Sequence, residues 1–210
     1  MAYFFTKLMM LPILRLFIRK VDGLENLPKK AFVLSANHES YFDSYLINAI
    51  TLPHLDKIVH VLTVKTGLGI KLVGEKISKK WAGVILLEKG KEKEALDETV
   101  QLLKKGEIVG IYPGGRTSKR LRKGKTGAVR AALRARVPIV PVGLIGTYNI
   151  APKERRIPAL KRCEIRIGEP IYLTKYYNKK ITKALLRKLT DELMLEIARL
   201  TGKKYLYRGH

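Results

Sequence analysis

Residues 31–43 read Ala31-Phe32-Val33-Leu34-Ser35-Ala36-Asn37-His38-Glu39-Ser40-Tyr41-Phe42-Asp43. The apolar run 31–34 has the length and composition of a buried strand. A polar loop follows, and a helical pattern opens at Asp43 and extends to residue 50. His38 and Asp43 therefore stand together at the exit of a strand. A histidine and a carboxylate in one loop can form a general base: the imidazole takes a proton near neutral pH, and the carboxylate holds its tautomer. A second reading is structural. Ser40-x-x-Asp43 matches a capping box, in which serine starts the helix and the acidic residue closes it. That accounts for Asp43 and leaves His38 unexplained.

Outward from this loop the chain alternates. Further strands are expected at 57–62, 83–87, 108–112, 139–144 and 163–167. Helices are expected at 91–105, 127–136 and 180–200, the last with an apolar stripe of Leu185, Leu189, Leu193, Ile197 and Leu200. Such alternation predicts a single α/β domain, a mixed and mostly parallel sheet flanked by helices. In open sheets of this class, function gathers at the carboxyl ends of strands. The stretch 151–161, with Pro152, Pro158 and several cations, reads as an exposed loop.

The composition sets bounds. The chain has 210 residues, 46% of them hydrophobic, which suits one domain with a substantial core. Forty-two lysines and arginines against 18 acidic residues leave a net charge of +24. That implies an anionic partner: nucleic acid, an anionic membrane surface or a phosphorylated substrate. Cys163 is the single cysteine, so neither a disulfide framework nor a cysteine zinc site is available. His54 and His60 stand alone, outside any metal-ligand spacing. A Gly-x-Ser-x-Gly elbow is absent, which leaves a covalent acyl-enzyme unsupported.

Residues 1–20, MAYFFTKLMMLPILRLFIRK, form a separate segment ahead of a domain at 21–210. The uncharged stretch 8–14 is far short of the ~20 residues that span a bilayer, and no small-residue cleavage site follows. On a helical wheel Lys7, Arg15 and Arg19 share one third of the circumference. Tyr3, Phe4, Phe5, Met9, Met10, Ile13, Leu14 and Phe17 cover the rest. The pattern predicts helices lying in a membrane interface with cations towards headgroups, broken or kinked at Pro12.

Three further stretches carry candidate chemistry. Tyr112-Pro113-Gly114-Gly115-Arg116-Thr117-Ser118 ends a strand in a Pro-Gly-Gly turn followed by a cation and hydroxyls. That suits a phosphate, because glycines allow close approach and arginine offers a fork of donors; the alternative is a basic surface turn. Residues 83–87 lead to Lys89, which can add charge to the same anion site or form a solvated turn. Val137-Pro138-Ile139-Val140-Pro141-Val142 is apolar and serves packing or lines an acyl path, and Pro141 argues against a fully paired central strand. Gly124-Lys125-Thr126 suggests a Walker A ending, but the glycine required five residues earlier is Lys119, which excludes that reading.

Taken in order, these blocks resemble the glycerolipid acyltransferase family. Asn37, His38 and Asp43 match its Asn-His-x4-Asp block, residues 83–89 its basic-ended strand, residues 112–118 its Phe-Pro-Glu-Gly-Thr-Arg-Ser block, and residues 137–142 its Val-Pro-Ile-Val-Pro-Val strand. The resemblance runs from about residue 21 to 173. It implies acyl transfer from acyl-CoA or acyl-carrier protein to the free hydroxyl of 1-acylglycerol 3-phosphate, with His38 and Asp43 as the base. It also implies substrate binding by Asn37, Lys89, Gly114, Gly115, Arg116 and Thr117, and no metal or redox cofactor. The expected setting is the cytoplasmic face of the cell membrane, peripheral or monotopic, on an anionic surface and with no nucleic acid partner. Two rival readings stay open: an acyltransferase using glycerol 3-phosphate or another lysophospholipid, and a basic membrane- or nucleic-acid-binding protein without catalysis. The chain departs from the family in the third block, whose glutamate is absent. Without a gap Gly114 occupies its place, and Arg116-Thr117 replaces Thr-Arg. With a one-residue deletion Gly114, Gly115, Arg116 and Thr117 align in order. Either way an acidic contact attributed to the acceptor is missing.

Overall fold

A computed structural model describes residues 11–64, 83–152 and 158–207. The first ten residues of the expected interface segment, and residues 153–157 of the expected loop, lie outside the described residues. Among those described, seven strands form one sheet. In chain order they are β1 (Ile18–Asp22), β2 (Val33–Ala36), β3 (Val59–Val64), β4 (Val84–Leu87), β5 (Ile108–Ile111), β6 (Ile139–Ile145) and β7 (Cys163–Ile167). Their spatial order is β1-β7-β6-β2-β5-β3-β4. Every pairing is parallel except β6 with β7. The expected mixed, mostly parallel sheet is the one observed.

Among the described residues five helices cover the sheet: α1 (Leu11–Arg15), α2 (Asp43–Leu55), α3 (Glu92–Lys104), α4 (Gly127–Ala135) and α5 (Lys183–Thr201). Strand side chains alternate between faces, and the two faces build two cores. Val33, Val109 and Ile139 join the apolar sides of α3, α4 and α5. Phe32, Leu34, Val140 and Val142 join Leu46, Ile47 and Ile50 of α2. Leu11 and Leu14 of α1 pack on Ala49 and Leu52 across the outer side of α2. Phe32 is fully buried, and a ring so placed contributes about 1.5–3 kcal/mol relative to exposure. The helix ends follow local rules. Thr182 caps α5 by accepting from the Leu185 N–H at 3.1 Å, and Gly202 ends it at φ 69°.

Two expectations are corrected here. The N-terminal segment does not remain helical to residue 20: Ile18, Arg19 and Lys20 belong to β1, an edge strand paired with β7 and tied to it by Arg19 and Glu164. Pro141 does sit in a central strand, since β6 lies between β2 and β7. The prolyl nitrogen is tolerated there because the β6–β7 ladder breaks at that point. Val142 pairs with Ile167, whereas Ile139 bridges to Ile171, so the register slips by one residue opposite Pro141. Ile139, Val140 and Val142 are buried, which resolves this strand as packing rather than as the wall of an acyl path. No helix among the described residues is long and apolar enough to cross a membrane.

Candidate active site

β2 lies in the middle of the sheet between β5 and β6, so the loop leaving its carboxyl end sits beside the loop leaving β5. Asn37 anchors the first loop. Its Oδ1 accepts from the Leu144 N–H at 2.7 Å, and its Nδ2 donates to the Leu144 carbonyl and to Glu39 Oε1, both at 2.8 Å. Both amide hydrogens are thereby used inside the protein. Asn37 thus fastens the loop to β6.

Asp43 is fully buried at the first turn of α2. Three donors converge on its Oδ2: the N–H groups of Glu39 at 2.8 Å and Ser40 at 3.0 Å, and His38 Nδ1 at 2.7 Å. A carboxylate beside two backbone donors acts as acceptor, which favours the tautomer with the proton on Nδ1; in the neutral ring Nε2 then offers its lone pair. Among the described residues Nε2 makes no hydrogen bond, and the ring is about one-fifth exposed. The expected capping box is half present. Asp43 reaches back to the Ser40 N–H, but the Ser40 hydroxyl accepts from the Phe42 N–H at 3.1 Å and donates to the Ala151 carbonyl at 2.8 Å. The same carboxylate that begins the helix orients the histidine.

Tyr112, at the end of β5, stacks on the His38 ring with centroids 4.1 Å apart and planes 15° apart. Its hydroxyl meets Ser44 Oγ at 3.0 Å. Burial, and then the Asp43 charge, push this phenol well above its ordinary range, so it stays protonated. Tyr112→Phe keeps the stack and loses one hydrogen bond, so it should cost about 1 kcal/mol in urea unfolding. Tyr112→Ala loses the ring as well and should cost about 3–5 kcal/mol; equal losses for the two variants would deny the stack any share.

The turn after Tyr112 closes through the Gly115 N–H and the Tyr112 carbonyl at 3.0 Å. Gly115 adopts φ 73°, a conformation that costs a side chain about 1–2 kcal/mol. The Ser118 N–H donates to the His38 carbonyl at 2.8 Å, joining this loop to the histidine loop. Arg116 is exposed and has no ion-pair partner among the described residues; Thr117 beside it is half-buried. Gly114 leaves room: a Cβ there would come no nearer than 3.7 Å, to Arg122 Cβ. Contact at the Cβ position therefore does not itself require glycine at 114.

Lys89 follows the edge strand β4 and is exposed. It and Lys125 both act on Glu92, whose carboxyl is held below its usual range chiefly by the Glu92 and Gly90 N–H groups and secondarily by these two cations. Lys125 also borders the turn, with Cε 3.0 Å from where a Cβ of Gly115 would sit. Lys125 therefore stands against the turn, whereas Lys89 touches it through no described contact. Tyr112 as a stacking partner, Ser44, Glu39 and Lys203 were not foreseen; their contacts are across the fold and have no spacing signature.

The model of the family described as Acyltransferase matches residues 18–145. The chain is 36% identical over 140 residues to a chloroplastic 1-acyl-sn-glycerol-3-phosphate acyltransferase of Arabidopsis thaliana, covering 63% of this chain and 37% of the relative. It therefore spans well under half the length of that plant protein. It is 28% identical over 186 residues to a 1-acyl-sn-glycerol-3-phosphate acyltransferase of Bacillus subtilis, covering 88% of each. The crystal structure of a 1-acyl-sn-glycerophosphate (LPA) acyltransferase of Thermotoga maritima superposes with a TM-score of 0.66 at 22% identity. That match covers 98% of this chain and 89% of the other, and it establishes a shared fold.

Proposed function

Because this chain belongs to the acyltransferase family, we propose that it moves a fatty acyl group from acyl-CoA or acyl-carrier protein to the free hydroxyl of 1-acylglycerol 3-phosphate, giving phosphatidic acid. The observation that carries this reading is the His38 Nδ1 to Asp43 contact of 2.7 Å, with Nε2 left free of partners among the described residues. Nε2 takes the proton of the acceptor hydroxyl as that oxygen attacks the thioester carbonyl carbon. Asp43 stabilises the imidazolium that forms. The tetrahedral intermediate then breaks its carbon–sulfur bond, and the departing thiolate recovers the proton from Nε2. An ester and a free thiol result, and no covalent enzyme intermediate is needed.

Arg116, with Lys125 against the turn, holds the acceptor phosphate at the Gly114-Gly115 turn, and Lys89 supplies a further cation. Arg116→Ala should raise the acceptor KM roughly 10- to 100-fold, the loss of one charged hydrogen-bond partner, with kcat little changed. Steady-state assays with varied acceptor check this, and an unchanged KM removes Arg116 from the phosphate site.

The reading extends to location: the chain works peripherally or monotopically on an anionic membrane, at its cytoplasmic face. Exposed Ile13 on α1, Leu16 just after it, and Tyr41 and Tyr45 near the start of α2 support an apolar contact on the side of the histidine loop. One alternative acceptor is favoured by a specific observation. The block at residues 112–118 lacks the family's carboxylate, which keeps glycerol 3-phosphate or another lysophospholipid in play. Purified protein assayed against a panel of lysolipids and glycerol 3-phosphate, with acyl-CoA and acyl-carrier protein donors, decides among them. Absence of transfer to every acceptor would refute the reading.

A further inference from the structure

The family match ends at residue 145, yet the chain beyond α5 returns to the two loops of the site. Gly202 turns the backbone at φ 69°, and Lys203 follows, its N–H donating to the Ala198 carbonyl at 3.0 Å. The Lys203 ammonium donates to Glu39 Oε1, and to the Lys119 carbonyl at 2.6 Å. Glu39 adjoins His38; Lys119 adjoins Ser118, whose N–H holds the His38 carbonyl. Lys203 therefore crosses the gap between the histidine loop and the anion-binding loop, one residue from their direct contact.

A second fastening secures the far end of the anion-binding loop. Tyr205 donates its hydroxyl to Asp191 Oδ1 at 2.6 Å and accepts from the Gly124 N–H at 3.4 Å. Arg187, paired with Asp191 through two hydrogen bonds, donates to the Gly124 carbonyl at 2.7 Å. A Cβ at Gly124 would fall 2.7 Å from Met194 Cγ and 2.9 Å from Thr190 Cγ2, so only glycine fits against α5. This accounts for the Gly124-Lys125-Thr126 stretch that resembled a nucleotide loop.

Such fastening has a physical reason. Residues 116–125 carry Arg116, Lys119, Arg120, Arg122, Lys123 and Lys125 and no acidic residue. Like charges so close repel one another and favour a spread, solvated loop. Holding them in one arrangement before an anion arrives requires ties from outside the loop. The Glu39 carboxylate is 4% exposed. Burial raises its pKa, and the Lys203 contact opposes that rise, so the pair also balances a buried charge.

We propose that the C-terminal tail is part of the active site, and that Lys203 is a positioning residue locking the histidine loop to the anion-binding loop through Glu39 and the Lys119 carbonyl. The kinetic side of this inference rests on the acyl-transfer reading above; the structural side does not.

The test compares Lys203→Met, Lys203→Arg and the double variant Glu39→Gln/Lys203→Met with the unaltered chain. Amide hydrogen exchange and lysolipid kinetics are measured on each. Lys203→Met should speed exchange at residues 37–40 and 116–125 at least roughly tenfold while the strands keep their protection. It should also raise the acceptor KM by a similar factor. Lys203→Arg should recover most of both. The double variant removes the unpaired buried charge, so its Tm should return towards the original while fast exchange and high KM persist. Wild-type exchange in Lys203→Met, or recovery of KM together with Tm in the double variant, would overturn the proposal in favour of simple charge balance. Should Lys203→Met fail to fold, the double variant carries the exchange measurement. Should the unaltered chain transfer no acyl group, the functional reading fails, and exchange alone still decides the role of Lys203.

Discussion

His38→Ala is expected to lower acyl transfer by roughly 10²- to 10⁴-fold, the range that a positioned general base supplies, without unfolding the protein. The larger figure corresponds to about 5.5 kcal/mol of transition-state stabilisation. The imidazole is half-buried at the loop surface, not in either core. Asp43 Oδ2 would keep its two backbone donors from Glu39 and Ser40, so the start of α2 survives. The measurement pairs initial rates with near-UV circular dichroism and a lysolipid binding isotherm. Loss of rate with intact binding is the expected outcome. A variant within tenfold of the original rate would remove His38 as the base.

Asp43 should separate two functions that share one oxygen. Asp43→Asn can keep its carbonyl oxygen where Glu39, Ser40 and His38 donate, but it loses the charge that stabilises imidazolium. Its amide would lie where Oδ1 now sits, buried and without a partner among the described residues. The expected result is a fold weakened by about 1–3 kcal/mol and a rate reduced by roughly 10²- to 10⁴-fold, comparable to removing the base. Asp43→Ala strips all three donors of their acceptor inside a fully buried site, and should cost about 3–5 kcal/mol. Chemical unfolding in parallel with rate assays checks both. If Asp43→Asn keeps full activity, the carboxylate serves only the loop.

The elements most legible in the sequence were those whose signal is local. The span 163–167 coincides with β7 residue for residue, because an alternating apolar strand bounded by polar residues has little room to shift. The strand expected at 31–34 is instead Val33–Ala36. Residues 31 and 32 are apolar because they are buried, whereas the ladder begins where β5 and β6 offer partners at Val109 and Ile139. The helix expected at 43–50 runs to Leu55 through Pro53, its packing on α1 and β3 outweighing the missing N–H. β1 went unrecognised because Arg19, Lys20 and Asp22 give it a polar edge strand's composition, and the apolar residues before it extend a helical pattern across the boundary.

For the site, the pairing of His38 with Asp43 was legible because six consecutive residues contain both partners, and a helix start constrains where the carboxylate sits. The tight turn after Tyr112 was legible because Pro-Gly-Gly has few conformations. The roles of Asn37, Tyr112, Glu39 and Lys203 were not. Asn37 meets a carbonyl 107 positions away, and Lys203 meets Glu39 across 164. No periodicity encodes contacts of that range, because they follow from which strands become neighbours and where α5 leaves the sheet. The sequence by itself determined the class of fold and the chemistry available at the end of β2, since both rest on local patterns of burial and acid–base character. Only the tertiary structure decided which side chains hold that chemistry in place, because strand order brings distant loops together and burial then forces every polar group there to find a partner.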